Sequence, residues 1–380
     1  MTEPLDTEGI VRRIAAFGLP VGDGHASPPA IAEEEWSRVL PLLESYRITG
    51  FAVAGVEAGW LELSTEQADG LVEAHRRAML TPLAVERGLL EISGELETGG
   101  VEFVVLKGPA LAHTVYPDPS WRFFGDLDLL VRGRDWRKAI AILERMGYRR
   151  NLPEPRAGFD ERFGKASEFR RASGIEVDLH RTLVVGPFGL WIEPDLLFDG
   201  TTELQLWDRA LRRLNDTLLQ LHACMHASLG WWPPLKVPVR DVVQVAYFGD
   251  VDWNRLADVA ARWKLRAVVR YAFQVAADRL GVELPPGAGG ALATPPNRRE
   301  QRALLSYHAG RRSHGGHEIS SIRAIRGPRA KAAYVRALMF PSREFLAARS
   351  GTRRPSYLSR WAIPIRWLLR WRGVWPRRSR

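Results

Sequence analysis

Two aspartates stand two residues apart inside an apolar run, and this pair constrains the fold more than any other feature of the chain. The run covers residues 123–131 and contains Asp126 and Asp128. Because side chains alternate on a strand, both carboxylates fall on one face and the intervening leucine on the other. Like charges on a buried face require a cation, and Mg²⁺ suits carboxylate and phosphate oxygens together. The pair therefore predicts a strand that supports metal-assisted phosphoryl or nucleotidyl transfer.

A second segment, residues 104–111, reads as an apolar strand that turns at Lys107 and Gly108 into a helix. Pro109 suits the first position of that helix. The N-terminus of a helix offers free backbone N–H groups and the positive end of its dipole to a phosphate. Lys107 either contacts the phosphate with its positive charge or is a solvated side chain at the end of the strand. Contact with phosphate is the favoured interpretation.

A third segment, residues 175–180, alternates so that Glu176, Asp178 and His180 share one face of a strand. It supplies a further carboxylate from a neighbouring strand, and periodicity does not choose between Glu176 and Asp178. His180 is either a metal ligand or a hydrogen-bonded structural histidine, and the structural role is favoured. Arg122 precedes Asp126 by four residues and either pairs with a carboxylate structurally or binds a leaving pyrophosphate through its planar fork.

His222 and His226 have the i, i+4 spacing that places both side chains on one helical face, as in many zinc sites. No convincing third ligand stands nearby, and Cys224 points to another side of the helix. The favoured interpretation is a helix packed beside the catalytic sheet, with one of the histidines near the nucleotide.

Taken in order, these segments resemble the uncharacterised nucleotidyltransferase family of the polymerase β-like superfamily. The similarity extends from about residue 30 through most of the chain, and the carboxylate core is its most specific part. The matching segments are residues 106–111, Arg122, residues 125–131, 146–148 and 176–180, then, in a helical region, 221–226, 240–243 and 251–256, and near the C-terminus 340–342 and 357–360.

The resemblance implies an α+β fold, with a small mixed sheet flanked by N-terminal and C-terminal helical regions. It implies Asp126 and Asp128 as metal ligands and Asp178 as the third carboxylate, acting on two Mg²⁺ ions and a nucleoside triphosphate (NTP) such as ATP. Lys107, the Gly108 amide and Arg122 would orient the triphosphate. The acceptor, whether a small molecule, a peptide or RNA, is left open.

The chain departs from the wider superfamily at the strand-to-helix turn. Most members have Gly-Ser where this chain has Lys107-Gly108, so the usual serine contact to the triphosphate is missing and the lysine would substitute for it. The Lys-Gly turn is also similar to that of the nucleotidyltransferase toxins of abortive-infection systems, which gives one alternative, a toxin acting on RNA. The other alternative is a catalytically inactive protein of the same fold that binds nucleotides or RNA.

Composition is consistent with an intracellular enzyme. The 380 residues are 46% hydrophobic, enough for two or three packed units, and the single cysteine, Cys224, excludes an internal disulfide. The first residues lack the basic and apolar regions of a secretion signal, and no apolar stretch reaches the roughly 18 residues of a membrane span. We therefore expect a cytoplasmic location without a transmembrane segment.

Positive charge is concentrated at the C-terminus. Residues 311–380 contain 18 Lys or Arg against two Glu, a net charge of +16, whereas the whole chain carries +10, so the rest carries −6. Within this region residues 361–372 interleave tryptophan with arginine. Such a segment packs on the protein, binds nucleic acid, or lies on an anionic membrane surface, in decreasing order of preference.

Four regions are predicted from the distribution of apolar periodicity, glycine and proline. They are an N-terminal helical region (1–99), the nucleotidyltransferase core (100–200), a helical domain (201–284), and a linker with the basic Trp/Arg-rich region (285–380). Within the core we expect a mobile loop over the site at residues 151–165. Continuous helices are expected at residues 204–229 and 253–280.

Overall fold

The computed structural model describes residues 6–20, 28, 30–172, 174–230, 236–313 and 316–350. The Trp/Arg-rich segment 361–372 lies outside these residues, so the three interpretations of that segment stay predictions. No helix within the described ranges is both long enough and apolar enough to cross a membrane.

The protein has an α+β fold in which helices surround one mixed sheet, as predicted. The strands are β1 (Phe103–Leu106), β2 (Leu127–Val131), β3 (Arg149–Arg150), β4 (Ala166–Arg170), β5 (Glu176–His180), β6 (Thr201–Leu206) and β7 (Arg209–Leu214). Their order across the sheet is β3-β4-β5-β2-β1-β7-β6. Strand β2 runs antiparallel to β1 and parallel to β5, so the strands that carry the predicted site residues are central neighbours.

Helices occupy both ends of the chain and the connections between strands. Before and within the sheet they are α1 (Thr7–Ala15), α2 (Glu33–Ser45), α3 (Thr49–Glu57), α4 (Thr65–Thr98), α5 (Gly108–Ala112), α6 (Trp136–Arg145), α7 (Phe159–Phe163), α8 (Gly186–Trp191) and α9 (Pro194–Asp199). After the sheet they are α10 (Asp216–Leu229), α11 (Lys236–Phe248), α12 (Trp253–Arg262), α13 (Arg266–Leu280), α14 (Ala288–Ala293), α15 (Arg298–Ser313), α16 (Gly316–Ala324), α17 (Pro328–Met339) and α18 (Arg343–Ser350).

Local sequence signals explain where several of these helices begin and end. Ser64 and Gln67 form a capping box at the start of α4, each side chain bonding the other residue's backbone. Helix α6 follows Asp135 and stops before Gly147, whose φ of 86° is the left-handed conformation that glycine adopts at low cost.

The two faces of the sheet lie in separate hydrophobic cores. Val105 of β1, with Leu127 and Leu129 of β2, packs into a core shared with α4 and α6. Leu106 and Leu130 point the other way, into a core shared with α1, α2, α3, α10, α11 and α13. Because Asp128 alternates with Leu129, its carboxylate lies on the same face as Leu130, the face that helix α10 covers.

Two helix predictions in the C-terminal half were wrong. Residues 204–229 contain the end of β6, the strand β7 and the helix α10, because alternating burial, with Leu204 and Leu206 inside, suits an edge hairpin better than a helix. The predicted helix 253–280 is two helices, α12 and α13, broken where Lys264 has a φ of 58°.

The segment 151–165 is not an open loop. It includes α7, and Phe159 and Phe163 both pack against Tyr334 of α17, with ring centroids 5.5 and 5.3 Å away. A backbone hydrogen bond adds to this packing: the Ser342 N–H donates to the Pro155 carbonyl at 2.7 Å. The C-terminal helices therefore hold this segment against the sheet.

Candidate active site

Strand register brings two predicted carboxylates together at the centre of the sheet. Asp128 of β2 and Asp178 of β5 are direct neighbours across a parallel pair. One ligand atom from each, together with a ring nitrogen of His180, lies within 4.8 Å of the other two. Asp126 stands just before β2 and is not part of this compact group, although its charge is close enough to affect its neighbours.

Lys107 lies at the turn between β1 and α5 in a backbone conformation rare for a residue with a side chain. Its φ is 40° and its ψ −125°, a region in which a non-glycine residue is strained. Its Nζ atom lies 2.8 Å from Asp128 Oδ1. Gly108 follows at the first position of α5 and packs against Phe124, which would be 3.4 Å from a Cβ atom there.

Asp128 is buried and carries a negative charge that its neighbours stabilise. His180 Nε2 lies 2.7 Å from the same Oδ1 atom that Lys107 contacts. Burial alone would raise the pKa of Asp128, but the positive charge of Lys107, 2.8 Å away, brings that pKa well below its usual range. The carboxylate is therefore ionised while its exposed fraction is 1%.

Asp126 and Asp178 have the opposite electrostatic character. Neither carboxylate accepts a hydrogen bond from the residues that the structure describes. Burial, and then repulsion from Asp128, raises the pKa of Asp178 to about 7 and raises that of Asp126 as well. Two carboxylates without hydrogen bonds, beside a third that is ionised, make a site that a cation would stabilise.

His180 is oriented in the way that metal-binding histidines commonly are. Its Nδ1 atom is 3.0 Å from the Thr182 carbonyl, which can only accept, so Nδ1 carries the proton. Burial lowers the pKa of His180 to about 4, and in the neutral ring the Nε2 lone pair then faces Asp128 and Asp178. A lone pair facing carboxylate oxygens is repulsive unless a proton or a metal ion lies between them. The donor set of Asp128, Asp178 and His180 therefore fits a divalent cation.

Lys165 is a residue that the motif analysis missed. It immediately precedes β4, and its Nζ atom lies 3.9 Å from Asp178 Oδ2. Burial and then repulsion from Lys107 lower the pKa of Lys165. The sequence contained a signal for Lys165, because this residue directly precedes β4. Since β4 pairs antiparallel with β5, the start of β4 lies beside the end of β5, where His180 stands.

Arg122 forms a structural ion pair, which is one of the two roles that the sequence left open. Its Nε and Nη2 atoms donate to the two oxygens of Asp241 on α11, at 2.9 and 2.8 Å. Tyr116 donates to Asp241 as well, at 2.8 Å. All three side chains are buried. The predicted contact between Arg122 and a pyrophosphate group stays a prediction.

The remaining candidates divide between the site and its surroundings. Glu176 pairs with Arg170 on the adjacent strand, whereas Asp178 of the same face has no such close partner. His222 and His226 lie on α10, and Lys107 is the charged residue with the largest effect on both rings. Cys224 between them is buried, and its pKa is raised to about 12 by burial.

Comparison with known proteins assigns the sequence to a family. Residues 32–281, about two thirds of the chain, match the model of a family described as uncharacterised nucleotidyltransferase. No curated protein matches the sequence. Among solved structures, the crystal structure of an antigenic nucleotidyltransferase-like protein from Paracoccidioides brasiliensis is similar at 15% identity and a TM-score of 0.29, over 50% of this chain and 92% of that one. On the family match, this chain belongs to the uncharacterised nucleotidyltransferase family.

Proposed function

We propose that the protein is a metal-dependent nucleotidyltransferase that moves a nucleoside monophosphate from an NTP to an acceptor and releases pyrophosphate. The observation that carries the proposal is the pairing of Asp128 with Asp178 in register, beside Lys107 and His180. Family membership supports the reaction class. The acceptor is a group with a nucleophilic oxygen.

Two Mg²⁺ ions would be held by the carboxylates, one by Asp126 and Asp128 and one shared with Asp178. When bound, they would neutralise charge on the triphosphate and lower the pKa of the acceptor hydroxyl. Lys107 and Lys165 already offset part of the negative charge of the three aspartates. The site therefore suits a strongly charged metal–triphosphate substrate rather than a neutral one.

The reaction requires the acceptor oxygen to form a bond to the α-phosphorus. At the same time the bond breaks between that phosphorus and the oxygen that bridges it to the β-phosphorus. Pyrophosphate leaves with the electron pair of that bond. The acceptor proton needs a base, and Asp178 would take it. Lys107 would move from Asp128 to the triphosphate and stabilise the charge that develops on its oxygens.

Pyrophosphate release tests the proposal. The full-length protein would be incubated with Mg²⁺, each of the four NTPs and a cell extract as a source of acceptor. Release above background is expected with at least one NTP and is expected to fall by 100-fold or more, on the scale of a lost charge-stabilising group, in Asp126→Asn, Asp128→Asn and Asp178→Asn.

A matched control separates loss of catalysis from loss of folding. Glu203→Gln replaces an exposed carboxylate on β6, at the far edge of the same sheet, and should keep full activity. Equal release in wild type and all three aspartate variants would refute the assigned ligands. No release with any NTP would favour a protein of this fold that binds nucleotides without turning them over.

Mass spectrometry of the treated extract would identify the acceptor. A small molecule, peptide or RNA that gains the mass of one nucleotide would be the product. RNA as the modified species would favour the toxin-like alternative.

A further inference from the structure

Two histidines of α10, His222 and His226, have no hydrogen-bond partner among the described residues. In each ring the Nδ1 atom is buried and unpaired. The other histidines with described side chains, His75, His113, His180 and His308, each contact a polar partner. Among the histidines whose side chains the structure describes, the α10 pair alone lacks a polar partner.

An unpaired buried nitrogen destabilises a fold, because the group loses its hydrogen bonds to water and gains none in return. An apolar side chain of similar size would fill the same space without that loss. Two such positions, one turn apart on one helical face, indicate a function that outweighs the cost.

The position of the pair relates it to the candidate active site. Helix α10 packs against the face of the sheet that carries Asp128 and Leu130. Among charged residues, Lys107 has the largest effect on the pKa of both rings, and Asp128 affects both as well. The pair thus lies on the side of the site where Lys107 is proposed to meet the triphosphate.

The charge state of the pair narrows the kind of group that it can bind. Burial and then Lys107 lower both pKa values well below the usual range, so both rings are neutral at physiological pH. A neutral imidazole offers one donor and one acceptor, which matches a hydroxyl group, whereas a phosphate would be bound better by cations. A metal site at this pair would need a third ligand, and the ligand cluster of the described residues consists of Asp128, Asp178 and His180.

We propose that His222 and His226 bind a ribose hydroxyl of the NTP and so select ribonucleotides over deoxyribonucleotides. This inference rests on the proposed function, because it requires that an NTP binds beside Lys107. The pair would act as binding residues, with no part in proton transfer.

Binding measurements test the proposal without depending on turnover. Calorimetry with Mg²⁺ would compare non-hydrolysable α,β-methylene analogues of each NTP with their 2′-deoxy and 3′-deoxy forms. Wild type should bind the ribonucleotide about tenfold more tightly than one of the deoxy forms, the effect of about one hydrogen bond. In His222→Leu or His226→Leu that preference should fall to near unity, mainly through weaker ribonucleotide binding.

Thermal unfolding distinguishes ligand binding from a structural role, because the loss of a structural contact would lower the melting temperature. Both leucine variants should melt at or above the wild-type temperature, because each removes an unpaired buried nitrogen. His222→Gln, which keeps a donor and an acceptor, should retain part of the preference. His75→Leu is the matched control, since that ring contacts Thr49 and should leave the preference unchanged.

The outcomes distinguish this inference from the function on which it rests. If no analogue binds, the proposed function fails and the ribose contact fails with it. If analogues bind but wild type shows no preference, or the preference survives in both leucine variants, the nucleotidyltransferase proposal stands and the ribose contact is refuted.

Discussion

Lys107 Nζ lies 2.8 Å from Asp128 Oδ1, so the lysine proposed to bind the triphosphate contacts the carboxylate proposed to bind metal. The contact is largely shielded from water, with 12% and 2% of the two side chains exposed. It links the strained turn after β1 to the centre of the sheet. The same contact gives Asp128 a counter-charge before any cation arrives.

Lys107→Met should destabilise the metal-free protein by about 3 kcal/mol at pH 7, because it leaves the buried charge of Asp128 without its closest counter-ion. Added Mg²⁺ should restore part of that loss, whereas affinity for NTP should fall at least tenfold. Urea unfolding with and without Mg²⁺ measures the first effect, and calorimetry measures the second. Lys138→Met, which changes an exposed lysine on α6, is the control. An equal loss of stability and of NTP affinity in this control would contradict a special role for Lys107.

Asp178→Asn should stabilise the metal-free protein at high pH. The pKa of Asp178 is raised from 3.8 to about 7, so the folded state holds its proton while the unfolded state releases it. The resulting penalty is absent below pH 4, grows as pH rises from 4 to 7, and is complete above pH 7, on the order of 4 kcal/mol. The variant should thus gain stability over wild type at pH 8 and not at pH 4.

Unfolding in urea across this pH range, without divalent metal, checks the sign of that effect. A stability difference between Asp178→Asn and wild type that does not change with pH would show that Asp178 is not desolvated as described. Mg²⁺ should reduce the difference at pH 8, because wild type binds the ion more tightly than the variant does.

Arg122 and Asp241 should behave as a coupled pair. Arg122→Met and Asp241→Leu should each cost about 3–5 kcal/mol, because each leaves the other charge buried and unpaired. The double variant should cost clearly less than the sum of the two, and the free energies of unfolding of all four proteins measure the coupling. Additive costs would contradict the bidentate geometry.

The same double variant tests the second role predicted for Arg122. If its folded form binds NTP as wild type does, Arg122 has a structural role alone. If it folds but loses affinity for NTP, the contact with the triphosphate is supported, because the structural charge pair has been removed as a unit.

Tyr334→Ala should loosen helix α7 and the approach to Lys165. Phe159 and Phe163 both pack on this ring, so the cost of removing it should be about 3 kcal/mol, typical of a large-to-small change in a core. Hydrogen exchange of residues 159–163 should accelerate. Tyr334→Phe keeps the ring and should leave exchange in α7 close to wild type; equal acceleration in both variants would contradict stacking as the cause.

Much of the central sheet could be predicted from local sequence, because β1 is a short apolar run and the segments of β2 and β5 alternate acidic with apolar residues. Residues 126–131 and 176–180 each place apolar side chains on one face, and the structure has strands at both. The hairpin of β6 and β7 was not predicted, since only one face of each strand is buried and β7 carries three arginines. The helix break at Lys264 was also missed, because a left-handed lysine has no distinctive sequence signal.

The sequence by itself determined the residues that are proposed to bear the chemistry: an Asp-x-Asp strand, a Lys-Gly turn, and a second acidic strand that contains Asp178 and His180. Each is a local pattern, and strand periodicity fixes the face of each side chain. Only the tertiary structure decided their partners. It placed Asp128 beside Asp178, gave Arg122 to Asp241, and set Lys165, His222 and His226 around the site, because packing between distant segments of the chain creates contacts that no local spacing encodes.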